Sequence, residues 1–204
     1  MNVSDFERAI GVSFADKDLL REAFTHRSYL NENPSAGSHN ERLEFLGDAV
    51  LELVVTRYLY EKFPAKPEGE LTSYRAALVN ANMLSGIAQD IEMNNYMLLS
   101  RGEAKDTGRA RQYILANAFE AFTGALYLDQ GYDAAAAFIE KYVLARTDEV
   151  VSRKLFRDAK SMFQEHAQER AGITPTYEAI KEWGPDHNKH FIVGVYLKDE
   201  LIAE

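Results

Sequence analysis

HNERLEFLGDAVLELVV, residues 39–55, is the stretch that decides the fold of this chain. At about 100° per residue on an α-helix, its acidic side chains share a wedge of roughly 60°, and apolar side chains gather on the opposite side. The acidic group is Glu41, Glu44 and Asp48, and the apolar group is Leu43, Leu46, Val50 and Leu53. The pattern predicts a long helix with one acidic side and one core-facing side.

An acidic stripe that merely faces water is one interpretation of this helix. The spacing favours another, because Glu44 and Asp48 stand at i and i+4, Glu52 extends the row, and no lysine partner occurs at that spacing. Like charges so placed destabilise a helix by roughly a few tenths of a kcal/mol per pair. A divalent cation between Glu44 and Asp48 would reverse the sign of that interaction.

A second acidic helix is predicted over residues 114–129, which read ILANAFEAFTGALYLD. Asn117 and Glu120 lie at i and i+3, opposite an apolar stripe of Leu115, Phe119, Phe122 and Leu126. If the two helices face each other, four oxygen-bearing side chains meet, namely Glu44, Asp48, Asn117 and Glu120. Carboxylate and amide oxygens are the ligands that Mg²⁺ requires, so the two helices predict a site for a hard cation.

These helices resemble the ribonuclease III family, with residues 39–50 matching its signature helix and residues 114–129 its second catalytic helix. Three further blocks match in the same order, at residues 25–28, 73–79 and 102–111, and the likeness runs over roughly residues 3–204. The resemblance implies an all-α endonuclease domain followed by a small, truncated α+β double-stranded RNA-binding domain. It also implies Mg²⁺-dependent cutting of double-stranded RNA, with Mn²⁺ able to replace Mg²⁺.

The resemblance gives each acidic residue of the site a role. The implied catalytic residues are Glu41, Glu44, Asp48, Glu68 and Glu120. Three of them, with Asn117, match the metal ligands, although the family has an aspartate at position 117. Glu41 and Glu68 match acids that help hold the RNA around the cleaved bond, and Phe45 matches a residue of the dimer contact.

The implied reaction leaves 5′-phosphate and 3′-hydroxyl ends, and a symmetric homodimer would present one site to each strand of the duplex. The expected substrates are precursors of ribosomal and messenger RNA. Asn117 is a neutral ligand, so it leaves two interpretations open. One is a working enzyme with a higher Mg²⁺ requirement, and the other is a catalytically impaired, double-stranded RNA-binding or ribosome-associated protein. A purely structural helical protein is a third option.

Composition limits the other functional classes. The 204 residues are 46% hydrophobic and contain no cysteine, which excludes disulfides, thiolate zinc sites and cysteine nucleophiles. No apolar run reaches the roughly 18 residues of a membrane span, and the acidic N-terminal residues do not resemble a secretory signal. We therefore expect a cytoplasmic protein with no membrane association and no small-molecule organic cofactor.

The net charge of −9 is unusual for an RNA-binding protein, because basic side chains normally dominate affinity for phosphate. Residues 100–112 are the exception, with two glycines and the bases Arg101, Lys105, Arg109 and Arg111. The stretch reads as a solvated loop on charge alone. Because it precedes the second acidic helix, it is also the best candidate for phosphate contact, through Arg109 and Arg111.

Three segments are predicted for the whole chain: a helical domain at 1–150, a linker at 151–158 and a partial double-stranded RNA-binding domain at 159–204. Within the first, residues 29–40 are expected to form a loop, and residues 133–157 a long helix. The last segment is predicted to hold a helix at 159–170 and strands at 175–183 and 189–197. Its third strand and last helix are expected to be missing, and its RNA contacts are Gln164 and His187.

Overall fold

The structure is a computed structural model that describes residues 3–156, 159–185 and 189–204. The chain divides into a helical unit, Met1–Phe156, and a smaller unit, Arg157–Glu204. Among the described residues, no helix has both the length and the apolar character needed to cross a membrane.

The helical unit confirms the predicted all-α domain. Its helices are α1 (Val3–Ile10), α2 (Lys17–Ala23), α3 (Arg27–Glu32), α4 (Glu41–Lys62), α5 (Glu68–Val79), α6 (Ala81–Asp90), α7 (Arg109–Gln130), α8 (Tyr132–Tyr142) and α9 (Thr147–Ser152). Short 3₁₀ turns lie at Met93–Tyr96, Glu103–Lys105 and Leu144–Arg146. Side-chain oxygens begin two of these helices: Asp16 accepts from the amides of Asp18 and Leu19, and Asn80 accepts from that of Met83.

Helices α4 and α7, of 22 residues each, form the centre of the core. The predicted apolar stripe of α7 is confirmed, since Leu115, Phe119, Phe122 and Leu126 are all buried. On α4 the buried side is rotated from the predicted one: Leu43 and Val50 are buried, but Leu53 is 58% exposed. The buried side of α4 is centred on Gly47 and includes Leu51, Val54 and Val55. As a result, the acidic residues border the contact with α7 instead of lying opposite the core.

The rotation of α4 follows from two glycines that bring the helices together. A Cβ atom on Gly47 would lie 1.7 Å from the carbonyl oxygen of Glu120, and one on Gly124 would lie 2.3 Å from that of Leu43. Real Cβ atoms do not approach carbonyl oxygens so closely, so only glycine fits at either position. The main chains of α4 and α7 therefore touch directly.

Two predicted segments differ in the structure. Residues 29–32 belong to α3, which begins where the side chain of His26 accepts from the amide of Ser28, so the predicted loop at 29–40 is shorter. The predicted helix at 133–157 is wrong as one element, because α8 ends at Tyr142 and α9 occupies only Thr147–Ser152. Val143 and Leu144 within the break and Val150 after it are all buried. Residue 157 lies outside the described residues.

The smaller unit contains α10 (Ala159–Ala171) and strands β1 (Thr176–Trp183), β2 (His190–Leu197) and β3 (Glu200–Ala203), paired antiparallel in the order β1-β2-β3. The expectation that the third strand is missing was wrong. Lys198, at φ 55°, reverses the chain within two residues, so Glu200 pairs with Leu197 and Leu201 with Tyr196. No helix follows β3 in the described residues.

The contact between α4 and α7 can be tested with a single methyl group. Gly47→Ala places a Cβ inside the van der Waals radius of the Glu120 carbonyl, and we expect it to lower the free energy of unfolding by about 1–3 kcal/mol or more. Gly86→Ala on α6 is the control, because its Cβ meets nothing within 4 Å and alanine favours helix by roughly 0.5–1 kcal/mol. Urea unfolding measures both, and equal stability of the two variants would contradict the close contact.

Candidate active site

The glycine contact places four polar side chains at one edge of the α4–α7 interface. Glu44 and Asp48 flank Gly47 on α4, and Glu120 supplies the carbonyl that Gly47 faces. Asn117, about one turn before Glu120 on α7, forms a side-chain hydrogen bond with Glu44, in which the amide is the donor. The structure therefore brings together the residues that the sequence predicted from spacing.

The electrostatics of this cluster are dominated by burial and repulsion. Burial, with the charges of Asp48 and Glu44, raises the pKa of Glu120 to about 8. Burial and the charge of Glu41 raise the pKa of Glu44, and burial and the charge of Glu52 raise that of Asp48. Among the described residues, no lysine or arginine forms an ion pair with any of these carboxylates except Glu41. The cluster lacks the positive charge that buried carboxylates ordinarily have beside them.

The donor chemistry of the cluster fits a hard divalent cation. Carboxylates that repel one another are stabilised by a shared cation, and the set has oxygen donors with no sulfur or imidazole. Within residues 3–156, 159–185 and 189–204, no three His, Asp or Glu side chains stand in an arrangement that holds a metal. Glu44, Asp48 and Glu120 would thus have to turn toward one point to share an ion.

The two remaining predicted acids occupy different places. Glu41 lies one turn before Glu44, at the edge of the cluster, and forms an ion pair with Arg27 at 3.4 Å. Glu68 begins α5 and accepts a hydrogen bond from Thr72 at 2.8 Å. It borders a cavity with Thr56, which is about 12 Å along α4 from Asp48. Within one chain, therefore, Glu41 lies at the edge of the cluster and Glu68 lies away from it.

The predicted basic loop is shorter than expected, because α7 begins at Arg109 and includes residues 109–112. Arg111 is half-buried, and its guanidinium donates to the carbonyl oxygens of Glu103 at 2.8 Å and Asp106 at 3.1 Å. Arg109 is exposed and contacts Tyr113. The sequence could not distinguish these two arginines, but their surroundings differ. Arg111 stabilises the loop through hydrogen bonds to its main chain, and Arg109 faces solvent.

The loop is also attached to the segment before α4. The amide of Ser100 donates to the hydroxyl of Ser28 at 3.1 Å, and the amide of Arg101 donates to the carboxylate of Glu32 at 3.0 Å. The contact continues in the main chain, where the amide of His26 donates to the carbonyl oxygen of Leu98 at 3.0 Å and the amide of Leu98 donates to that of Phe24 at 2.9 Å. The loop that precedes α7 is therefore held at both ends.

The predicted dimer residue lies beside an apolar groove that the sequence did not reveal. Phe45 is 82% exposed, because it lies on the side of α4 opposite Gly47 and the core. The groove has a volume of about 650 Å³, and its apolar lining is Leu19, Leu43, Phe45, Leu46 and Leu128. It joins residues from α2, α4 and α7, so only the packed fold shows it.

Two residues of the smaller unit, Gln164 and His187, were predicted to contact RNA. Gln164 lies on α10 and is half-buried. His187 lies outside the described residues.

Comparison with known proteins agrees with this fold. Residues 16–147 match the family model described as ribonuclease-III-like, and residues 159–204 match the double-stranded RNA binding motif. Ribonuclease 3 of Borreliella burgdorferi is 43% identical over 201 residues, which cover 98% of this chain and 82% of that protein. Ribonuclease 3 of Enterococcus faecalis is 46% identical over 202 residues, covering 98% and 87%.

A solved structure gives the same result for the helical unit. The nuclease domain of ribonuclease III from Campylobacter jejuni, described for structural flexibility in the region involved in its dimer formation, is 40% identical. It superposes with a TM-score of 0.62 and covers 69% of this chain and 98% of that one. Since family models match both parts and relatives align along nearly the whole length, the chain belongs to the ribonuclease III family and carries a double-stranded RNA binding motif.

Proposed function

We propose that this chain is an endoribonuclease that cuts double-stranded RNA during the maturation of ribosomal and messenger RNA precursors. The observation that supports this best is Glu120, whose pKa is raised to about 8 by burial and by the charges of Asp48 and Glu44. Strongly perturbed carboxyl groups gathered at one place are typical of catalytic sites. The family of the chain makes phosphodiester hydrolysis the reaction.

The proposed cofactor is Mg²⁺, or Mn²⁺ in its place, held by Glu44, Asp48, Asn117 and Glu120. When bound, such an ion supplies a water of lowered pKa and positive charge opposite the developing charge on phosphate and leaving oxygen. The protein contributes the positions of the ligands: the glycine contact fixes the two helices, and the Asn117 amide orients the Glu44 carboxylate. The bond broken is the one to the 3′ oxygen, which leaves 5′-phosphate and 3′-hydroxyl ends.

Glu41 and Glu68 are proposed to hold the RNA around the cleaved bond. Glu41 is close enough to raise the pKa of Glu44, so it borders the reaction. Within one chain Glu68 is distant from the cluster, because it lies beside Thr56, further along α4. It would therefore contact RNA beyond the cleaved bond or RNA bound at the site of a second copy.

The proposed assembly is a homodimer in which Phe45 of each copy packs into the groove of the other. The groove lies beside Phe45 on the same surface, so a twofold axis through this surface pairs each phenylalanine with a groove. A buried phenylalanine removes roughly 150–250 Å² of surface from water. Two sites then face the duplex, one for each strand.

The smaller unit is proposed to bind duplex RNA, with Gln164 and His187 among its contacts. It carries the double-stranded RNA binding motif, and such domains recognise the shape of the duplex more than its sequence. The compartment we propose is the cytoplasm, which agrees with a chain that has no cysteine.

A catalytically impaired, RNA-binding protein is the second candidate function. Asn117 favours this candidate. The family has an aspartate at this position, and a neutral amide in its place removes one negative charge from the metal ligands. Three retained carboxylates that repel one another argue for the enzyme, since binding RNA alone gives no use for them.

Glu120→Gln tests the catalytic assignment. We expect it to slow Mg²⁺-dependent cutting of a long end-labelled RNA duplex by more than about 100-fold. Mg²⁺ should raise the melting temperature of the unaltered protein through mass action, and this rise should be lost in the variant. Glu61→Gln, at an exposed acid about 20 Å along α4 from Asp48, is the control. Wild-type cutting by Glu120→Gln, or cutting in EDTA, would refute the assignment.

Asn117→Asp tests the ligand role of position 117. The added negative charge should lower the Mg²⁺ concentration for half-maximal cutting on the order of tenfold. In EDTA the same variant should melt at a lower temperature. The Asn117 amide that donates to Glu44 is replaced by a fourth carboxylate, which repels the other three. Asn94→Asp, an exposed residue elsewhere, controls for net charge. An unchanged or increased Mg²⁺ requirement would exclude position 117 as a ligand.

Phe45→Ala tests the proposed dimer. Because Phe45 is exposed in the single chain, its loss should leave the monomer folded but weaken self-association by about 2 kcal/mol or more, roughly 30-fold in Kd. Sedimentation equilibrium measures the change, with Leu155→Ala, at an exposed leucine, as the control. An unchanged dimer would place the interface elsewhere.

A further inference from the structure

One side of α7 extends the acid cluster toward the start of the helix. Arg109, Tyr113, Asn117 and Glu120 follow one another at helical spacing and fall within about 80° of one another around the axis. Tyr113 stands about 6 Å along the axis from Asn117, and Arg109 about 12 Å. A surface stripe therefore leads from the cluster through a tyrosine to an arginine.

Tyr113 and Arg109 contact each other and both face solvent. The guanidinium carbon of Arg109 lies 5.9 Å from the centre of the Tyr113 ring, and Nη2 of Arg109 donates to the Tyr113 hydroxyl at 3.5 Å. Tyr113 is 49% exposed, so about half of its surface is open to solvent. Arg109 forms no ion pair within the part of the chain that the structure describes.

The pair keeps hydrogen-bond donors available. Tyr113 accepts from Arg109, so its own O–H remains free to donate, and most N–H groups of Arg109 remain free as well. This separates Arg109 from Arg111, whose guanidinium is occupied by two carbonyl oxygens of the loop. A cation held over an aromatic ring also loses less freedom when it binds an anion.

A role in helix stability alone does not account for the arginine. Arg109 is the first residue of α7, where a positive charge opposes the helix dipole and is unfavourable by about 0.3–1 kcal/mol. An anion bound beside Arg109 would compensate for the charge of the guanidinium and for the positive end of the helix dipole. The cluster of carboxylates further along the stripe repels phosphate, so RNA that reaches the cluster needs a cation close by.

We propose that Arg109 and Tyr113 bind the sugar–phosphate backbone of duplex RNA next to the cleaved bond. Arg109 contacts a phosphate, and the Tyr113 hydroxyl donates to a ribose 2′-oxygen, the group that marks an RNA duplex in its wide, shallow groove. Neither residue touches the reacting atoms, so the pair positions the substrate. The assignment rests on the proposed nuclease function.

The test uses the full chain with two variants and two matched controls. Tyr113→Phe removes only the hydroxyl, and Arg109→Gln removes the charge. The control for the first is Tyr58→Phe, at a half-buried tyrosine about 21 Å along α4 from Glu44. The control for the second is Arg8→Gln on α1, where Arg8 pairs with Asp5. Duplex binding is measured in EDTA over a range of salt concentrations, and cutting is measured in Mg²⁺.

The two variants should differ in a defined way. Tyr113→Phe should raise both Kd in EDTA and KM by about threefold to tenfold, with kcat and the salt dependence unchanged. Arg109→Gln should also raise both, and it should reduce the slope of log Kd against log salt by about one for each phosphate that the arginine neutralises. On a duplex with 2′-deoxyriboses, Tyr113→Phe should bind as the unaltered protein does.

Binding in EDTA separates this proposal from the proposed activity. Weaker binding by both variants, in a protein that does not cut, would support the pair and overturn the nuclease function. Cutting by all proteins, with Kd, KM and salt slope of both variants equal to those of the controls, would overturn the pair. A loss by Tyr113→Phe that persists on the deoxyribose duplex would overturn the contact to the 2′-oxygen.

Discussion

The contact of main chain with main chain at Gly47 and Gly124 is the constraint on which the rest of the structure depends. It brings α4 and α7 closer than any side chain would allow, so the residues beside each glycine have to meet. Glu44 and Asp48 thereby come next to Glu120, against their mutual repulsion. The free energy that holds them there comes from the apolar residues of both helices, which bury the interface on either side of the glycines. Core packing and the candidate active site are thus one arrangement.

Much of this arrangement could be predicted from the sequence, because it is carried by side chains with a helical period. The stripe of α7 and the four polar residues of the cluster were read in this way. The orientation of α4 was predicted less well: Gly47 has no side chain and adds nothing to a hydrophobic pattern, yet it lies at the centre of the buried side. The pattern therefore pointed to Leu53, which the structure leaves exposed.

Other features depend on contacts between distant residues and could not be read from spacing. The break between α8 and α9 is marked by no proline or glycine at residues 142–147, and the structure buries Val143, Leu144 and Val150 around it. The third strand requires a two-residue reversal at Lys198, which is uncommon for a residue other than glycine. Charge alone likewise did not distinguish Arg109 from Arg111. In the structure, the carbonyl oxygens of Glu103 and Asp106 accept hydrogen bonds from Arg111 and not from Arg109.

The attachment of the loop before α7 has a consequence for how related chains can differ. At Ser100 and Arg101 the loop offers main-chain amides, and the side chains that accept them, Ser28 and Glu32, belong to α3. Substitutions at these two loop positions leave the anchors in place, while substitutions on α3 remove them. These two loop positions can therefore differ in charge between homologues, and adapt to different duplexes, as long as α3 and the Arg111 side chain are retained.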